Sequence, residues 1–222
     1  MAARPDTPPV ELRVTGPQPL IGISGRKRAG KDTLASFLVN DHGFKRLAFA
    51  DALKAIVAEL NPIIEAFNTE AYGEAREWRL GEELRHCKTD TDPTGWEHAK
   101  AMPEVRRLLQ AHGVAVRNHI GDNVWVDALM RKASWLLAEG QPLVVTDVRF
   151  PNEADAIHNK GGIVVRVNRP GTADGTNATD LHISETALDE YEFDLVVDNT
   201  GAIDALSGAA AYAVDLMHRS RY

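Results

Sequence analysis

Gly25, Gly30 and Lys31 stand at the spacing G-x-x-x-x-G-K. Those residue types at that spacing can wrap backbone N–H groups and one cation around a phosphate. The two glycines let the chain curl at either end of the run. An apolar stretch short enough for a buried strand, Leu20 to Ile23, precedes it. Leu34, Phe37 and Leu38 follow at i, i+3 and i+4, the pattern of one buried helix face. Strand, glycine turn and helix together are the setting such a loop needs. A helix starting near Lys31 adds the positive end of its dipole, and the Lys31 ammonium can reach the β- and γ-phosphates of a nucleotide. Arg26, Lys27 and Arg28 add positive charge at the same turn. Asp32 occupies the position where a Ser or Thr hydroxyl ordinarily meets Mg²⁺, so either its carboxylate or the Thr33 hydroxyl takes that role.

A second constellation lies at Pro142 to Asp147, PLVVTD, an apolar run closing on an acid. A buried strand that ends in a carboxylate beside a phosphate loop can hold Mg²⁺ or its waters. Asp147 and Arg149 alternate along an extended segment, so both can point the same way. At the C-terminal end of a central strand they would sit where ligands bind open α/β sheets; the alternative is an internal Asp147–Arg149 ion pair. Pro151 opens a helix with Glu153 on its first turn.

The elements that must position these groups alternate in type along the chain. Residues 44–49 read as a strand, 50–60 as a helix stopped by Asn61-Pro62, and 102–118 as a helix broken near Gly113. Residues 63–78 could be helical, and 63–100 as a whole reads as an irregular, mobile insertion with scattered charge. A long helix follows over 124–139, with Val124, Leu129, Trp135 and Leu136 among its apolar residues. Ile163 to Val167 and Asp194 to Val197 read as strands, Ser184 to Asp189 as a short helix, and 202–218 as the last helix. Asp51 and Lys54 fall one helical turn apart, and Asp51 is equally suited to the helix dipole or to a substrate contact. The alternation implies an α/β fold, a mainly parallel sheet with helices on both faces.

At 222 residues and 44% hydrophobic content the chain can fill a sizeable core, as one α/β domain carrying a lid or insertion. A net charge of −7 argues against a general polyanion binder such as a nucleic-acid protein. The single Cys87 cannot form an internal disulfide, which fits a reducing, cytoplasmic setting; a spare thiol is a better reading of it than a nucleophile. The eight histidines show no zinc-like spacing, so a structural metal is not expected. No membrane span or secretion signal is expected, and residues 1–19 read as a loose arm.

Several stretches together resemble the phage deoxynucleoside monophosphate kinase family: SGRKRAGKDTLA (24–35), FADALK (49–54), RRLLQAHG with Arg117 (106–117), GDNVW (121–125), DVRFPNEADAI (147–157), RVNRPG (166–171), DLHISETALD (180–189) and DLVVDNTG (194–201). The resemblance implies a P-loop kinase with a three-layer NMP-kinase-like fold, a helical insertion over 63–125 and a lid loop over 169–183. It implies ATP and Mg²⁺ as cofactors, a deoxynucleoside monophosphate as acceptor, a homodimer, and DNA precursor supply in the host cytoplasm. By position, Arg28, Gly30, Lys31, Asp32, Thr33, Arg166 and Asn199 would hold ATP, with Asp32, Thr33 and Asp147 about the metal. Asp51, Lys54, Gln110, Gly113, Arg117, Trp125, Asp147, Arg149 and Glu153 look like the monophosphate pocket.

Residue chemistry agrees with that assignment. Arg117 and Arg149 offer guanidinium forks to a phosphate dianion, and Gln110 and Trp125 offer hydrogen bonds and a wall to a base. Core packing is the alternative for Trp125. Glu153 could fix the Arg149 fork or a sugar hydroxyl. Catalysis would fall to Lys31, Asp147, Arg149 and Arg169, the last at the edge of the lid, with His182 a weaker candidate than the arginines. The rival readings are an animal-type phosphomevalonate kinase, which has a similar loop and strand-end Asp-x-Arg, and a nucleotide-binding switch with no small acceptor. A nucleic-acid end kinase fits the acidic charge poorly.

Overall fold

Leu20 to Ser24 does form the buried strand that its apolar run requires, and the rest of its sheet is laid down beside it. The computed structural model describes residues 19–69, 74–90, 92–170, 187–201 and 203–219. In chain order the elements are β1 (Leu20–Ser24), α1 (Lys31–His42), β2 (Lys45–Leu47), α2 (Ala50–Leu60), β3 (Ile63–Thr69), β4 (Glu74–Arg79), α3 (Leu80–His86), α4 (Trp96–Ala99), α5 (Pro103–His119), α6 (Val124–Ala138), β5 (Leu143–Val148), α7 (Pro151–His158), β6 (Ile163–Asn168), β7 (Leu195–Asp198) and α8 (Ile203–Arg219). The chain divides into two compact units, Met1–Leu47 with Arg131–Tyr222, and Ala48–Met130.

The first unit holds a five-stranded sheet in the order β2-β5-β1-β6-β7, every neighbouring pair parallel. Successive residues of β1 serve opposite faces. Ile21 and Ile23 join a core with Leu34 and Leu38 of α1 and Leu206, Ala210 and Ala213 of α8. Gly22 faces the other way, where a Cβ would stand 2.5 Å from Ile157 Cδ1 of α7. Helices therefore cover both faces, the α/β layering expected, and each fully buried Leu or Ile contributes about 1.5–3 kcal/mol. No helix among the described residues is long and apolar enough to cross a membrane.

The second unit departs from expectation. Ile63–Thr69 and Glu74–Arg79 are neither helical nor irregular: they are β3 and β4, which form an antiparallel ribbon registered from Ile63↔Arg79 to Thr69↔Glu74. Ile63, Ile64, Phe67 and Thr69 favour a strand, and the cross-strand partner that decides the matter is invisible to local periodicity. Leu80 to His86 and Trp96 to Ala99 then form two short helices. Val57, Ile64, Leu80, Ala99 and Val105 make this unit's own core. The expected break near Gly113 is absent, and α5 runs through it without interruption. A mid-helix glycine costs about 1 kcal/mol without ending the helix, and here a Cβ would stand 3.2 Å from Leu53 Cδ2, so the missing side chain lets α2 pack closely.

Two smaller expectations also change. The strand expected over 44–49 is only Lys45–Leu47. Trp135, counted among the apolar residues of its helix, is 62% exposed. That helix buries Trp125, Leu129, Ala133 and Leu136, a stripe that turns position 135 outward. The N-terminal arm up to residue 18, most of the lid loop with His182, and Ser184 lie outside the described residues; Ala187 to Glu190 form a turn.

Candidate functional site

The loop between β1 and α1 is built by three left-handed residues, Gly25 (φ 148°), Arg28 (φ 65°) and Gly30 (φ 108°). A Cβ at Gly25 would stand 2.4 Å from Val167 O, so the loop's first residue passes directly over the end of β6. Arg28 is exposed in a conformation that L side chains avoid, strain of the kind that collects where backbone must present itself to a ligand. Ala29 instead points inward and is buried in the core. Gly30 then opens α1 with no side-chain cap. First-turn N–H groups have no intrahelical acceptor, so such a helix start suits an anion. The Lys31 Nζ donates to the carbonyls of Gly25 (2.7 Å) and Arg26 (2.8 Å), which folds it back along the loop's inner edge.

Asn199, placed with ATP on resemblance, has a different visible task. It is 5% exposed, and its Nδ2 donates to the Ala29 carbonyl at 2.9 Å while its Oδ1 accepts from Gly201 N at 3.2 Å. Its own N–H donates to Asn168 O at 2.7 Å, anchoring it to the end of β6. The amide thus clamps the loop from beneath. Nδ2 also lies 2.5 Å from where a Gly30 Cβ would be, so the clamp and the glycine share one space.

Beside the loop, β5 pairs with β1 through a register shift: Gly22 opposes Val145 and Ser24 opposes Val148, so Thr146 and Asp147 together face Ile23. A bulge of this kind re-aims a side chain next to a site. Asp147 is half-buried and Arg149, past the strand end, is exposed. Glu153 is 2% exposed, and its Oε2 accepts from the N–H groups of Arg149 (2.8 Å) and Phe150 (3.2 Å). It holds the turn that carries Arg149, which makes it a positioning group for that residue.

Arg166, from β6, donates from Nη1 to Ser24 Oγ (3.4 Å), from Nε to Asn168 Oδ1 (3.3 Å) and from Nη2 to Asp189 Oδ1 (3.2 Å). Its guanidinium carbon lies 5.5 Å from the centroid of the Phe193 ring. Asp189 also pairs, at 3.4 Å, with Arg26 of the loop. Asp189 therefore joins two cations that flank the loop between β1 and α1. Sequence reasoning gave it no role, although it closes the stretch DLHISETALD. Arg169 stands just beyond β6 and is exposed. Asp32 is exposed and Thr33 half-buried on the first turn of α1. Asp32, Thr33 and Asp147 would offer a divalent cation only oxygen ligands, a donor set that fits Mg²⁺.

In the second unit, Asp51 Oδ2 accepts from Ala48 N at 2.9 Å, closing the start of α2. Lys54 lies one turn on, half-buried. Gln110, Gly113 and Arg117 follow one face of α5 at i, i+3 and i+7; Gln110 is exposed and Arg117 half-buried. Trp125 is 5% exposed and donates from Nε1 to Gly113 O at 3.3 Å. The structure thus gathers Leu53 of α2, Gly113 of α5 and Trp125 of α6 at one point of this unit. Only the edge of a ring so deeply buried can meet a ligand.

A family model described as deoxynucleotide monophosphate kinase matches residues 88–209. A protein of Acanthamoeba polyphaga mimivirus, provisionally named a deoxynucleotide monophosphate kinase, is 29% identical over 219 residues, 88% of this chain and 96% of its own. The deoxynucleotide monophosphate kinase of Enterobacteria phage T4 is 25% identical over 232 residues, covering 84% of this chain and 95% of its own. Among solved structures, a dephospho-CoA kinase from Campylobacter jejuni aligns over 89% of this chain and 96% of its own, at 13% identity and a TM-score of 0.46.

Proposed function

The chain belongs to the deoxynucleotide monophosphate kinase family, and from that premise we propose that it transfers the γ-phosphoryl group of ATP to a deoxynucleoside monophosphate, for DNA precursor supply. The loop carries the reading: an uncapped helix start, a lysine folded along its inner edge and an acid-ended strand bulged beside it. The relatives' names supply the acceptor class.

In this proposal the loop from Arg28 through Thr33 receives the ATP phosphates, with Lys31 at the β- and γ-groups and Arg166 beside them. Asp147, with Asp32 or Thr33, would hold Mg²⁺, which when bound would supply charge neutralisation at the triphosphate. Asp51, Lys54, Gln110, Gly113, Arg117 and Trp125 take the acceptor nucleotide, and Arg149, on the turn that Glu153 fixes, takes its phosphate. The stretch 63–125 serves as the acceptor-binding insertion. The 169–183 loop serves as the lid, bringing Arg169 to the migrating group and excluding water. An acceptor phosphate oxygen attacks the γ-phosphorus while the bond to the bridging oxygen of ADP breaks. The attacking oxygen is already anionic, so no general base is needed. A homodimer is part of the proposal.

The test is ADP release from Mg²⁺-ATP with dAMP, dCMP, dGMP, dTMP, the ribonucleotide counterparts and phosphomevalonate. Release that depends on a deoxynucleoside monophosphate is expected, falling at least roughly a hundredfold in Lys31→Ala as one charged transition-state contact is lost. Release with phosphomevalonate alone, or nucleotide binding with no acceptor-dependent release, overturns the proposal.

A further inference from the structure

We propose that Glu83, Cys87 and His98, none of them used by the phosphoryl transfer, form a binding site for a borderline-soft divalent cation of the zinc class. Glu83 and Cys87 are one turn apart at the end of α3, and His98 comes from α4. The thiol Sγ lies 3.0 Å from Glu83 Oε1 and the His98 Nε2 lies 4.0 Å from the same oxygen. All three ligand atoms fall within 4.8 Å of one another. A cation equidistant from points so spaced sits about 2.0–2.4 Å from each, the span of zinc bonds to oxygen, nitrogen and sulfur.

The carboxylate is placed for this. Glu83 is 8% exposed and bonded to Trp78, which packs against the second unit's core, and among the described residues no lysine or arginine pairs with it. A buried carboxylate beside a thiol and an imidazole is a charge that a cation would compensate. Its other oxygen, Oε2, accepts from Trp78 Nε1 at 2.8 Å, which fixes the group with Oε1 turned toward Cys87 and His98, the arrangement in which a further hydrogen bond orients a metal ligand.

The far side is equally fixed. Asp92 Oδ1 accepts from Thr94 Oγ1 and Gly95 N, and Oδ2 from Glu97 N, so the loop that delivers His98 is tied into α4. A Cβ on Gly95 would stand 2.3 Å from Leu84 O, so that loop rests directly on α3. Sulfur and nitrogen ligands suit zinc and disfavour Mg²⁺, so this site would not compete for the cation that accompanies ATP. On binding, the thiol proton leaves to buffer, the Sγ–metal bond forms, and Oε1 exchanges an accepted hydrogen bond for a metal bond. Water completes the coordination from the exposed side of His98.

The test uses the full chain freed of metal and titrated with Co²⁺ as a spectroscopic probe, then with Zn²⁺ against a chromophoric chelator. One equivalent of Co²⁺ is expected to bind with a thiolate-to-cobalt charge-transfer band, and Zn²⁺ to raise the melting temperature. Cys87→Ser should abolish the band. His98→Gln, on the surface and harmless to folding, should weaken Zn²⁺ binding at least about tenfold with circular dichroism unchanged. A folded wild type without the band, or affinity indifferent to either substitution, overturns the proposal. Neither readout depends on turnover, so its failure is separable from failure of the kinase reading.

Discussion

Replacing Asn199 with alanine separates a loop clamp from a nucleotide contact. The substitution removes the donor that Asn199 gives to the buried Ala29 carbonyl and the acceptor it gives to Gly201 N. Stripping buried polar groups of their partners costs about 1–3 kcal/mol. For a chain of this size that lowers the melting temperature by about 2–12 °C, at about 2–4 °C per kcal/mol. Gly30→Ala probes the same space from above. In the wild type it must bear both the left-handed backbone and the 2.5 Å approach to Asn199 Nδ2. In the Asn199→Ala background that approach is relieved, leaving the backbone strain, about 1–3 kcal/mol, and a 3.3 Å approach to Leu206 Cδ1. Calorimetry of the four proteins should therefore give non-additive costs, with a coupling of at least about 0.5 kcal/mol. A melting temperature within about 1 °C of wild type, together with a KM for ATP raised about tenfold or more, would refute the clamp and make Asn199 a ligand contact.

Three further outcomes follow from side-chain environments. Glu153→Gln keeps an oxygen able to accept from Arg149 N and Phe150 N, so acceptor KM should stay within about threefold of wild type while Glu153→Ala loses stability by about 1–3 kcal/mol; a Gln variant that folds but binds acceptor poorly would make Glu153 a substrate contact. The hydrogen bond to the Glu83 carboxylate, with burial, pushes the Cys87 thiol from its ordinary 9.0 up to about 11. Metal-free protein at pH 8 should therefore alkylate roughly a hundredfold more slowly than an ordinary thiol, and Glu83→Gln should speed it at least about tenfold. Because the folded value lies above the unfolded one, the stability tied to this thiol is complete below pH 9 and lost as pH rises through about 11; chemical denaturation across that window checks the sign.

What could be read along the chain was whatever neighbours in sequence decide. Leu20 to Ile23, the glycine turn and the i, i+3, i+4 face of α1 form one contiguous argument, and strand, loop and helix stand where it puts them. Pro151 and Glu153 likewise announce α7 from within their own turn. The ribbon of β3 and β4 was not legible, because Ile63 acquires its partner Arg79 only across the fold. Gly113 misled for the opposite reason. A glycine reads as a breaker locally, while here it is a concession to Leu53 on a packed neighbour.

The same division runs through the candidate site. Lys31 and Gly30 could be picked out because a glycine turn ending in a lysine is a local motif, yet the reason Gly30 must be glycine lies in Asn199, whose hydrogen bond to Ala29 spans 170 residues. Asp189 escaped notice on similar grounds, since its charge matters only once Arg26 and Arg166 converge on it. Groups that meet a ligand carry their chemistry in their type and can be found one at a time. Groups that hold those residues in place are ordinary in type and are identified only by what they touch. The loop's shape therefore depends on positions far outside its motif, and a substitution beneath it should alter nucleotide binding as surely as one on its surface.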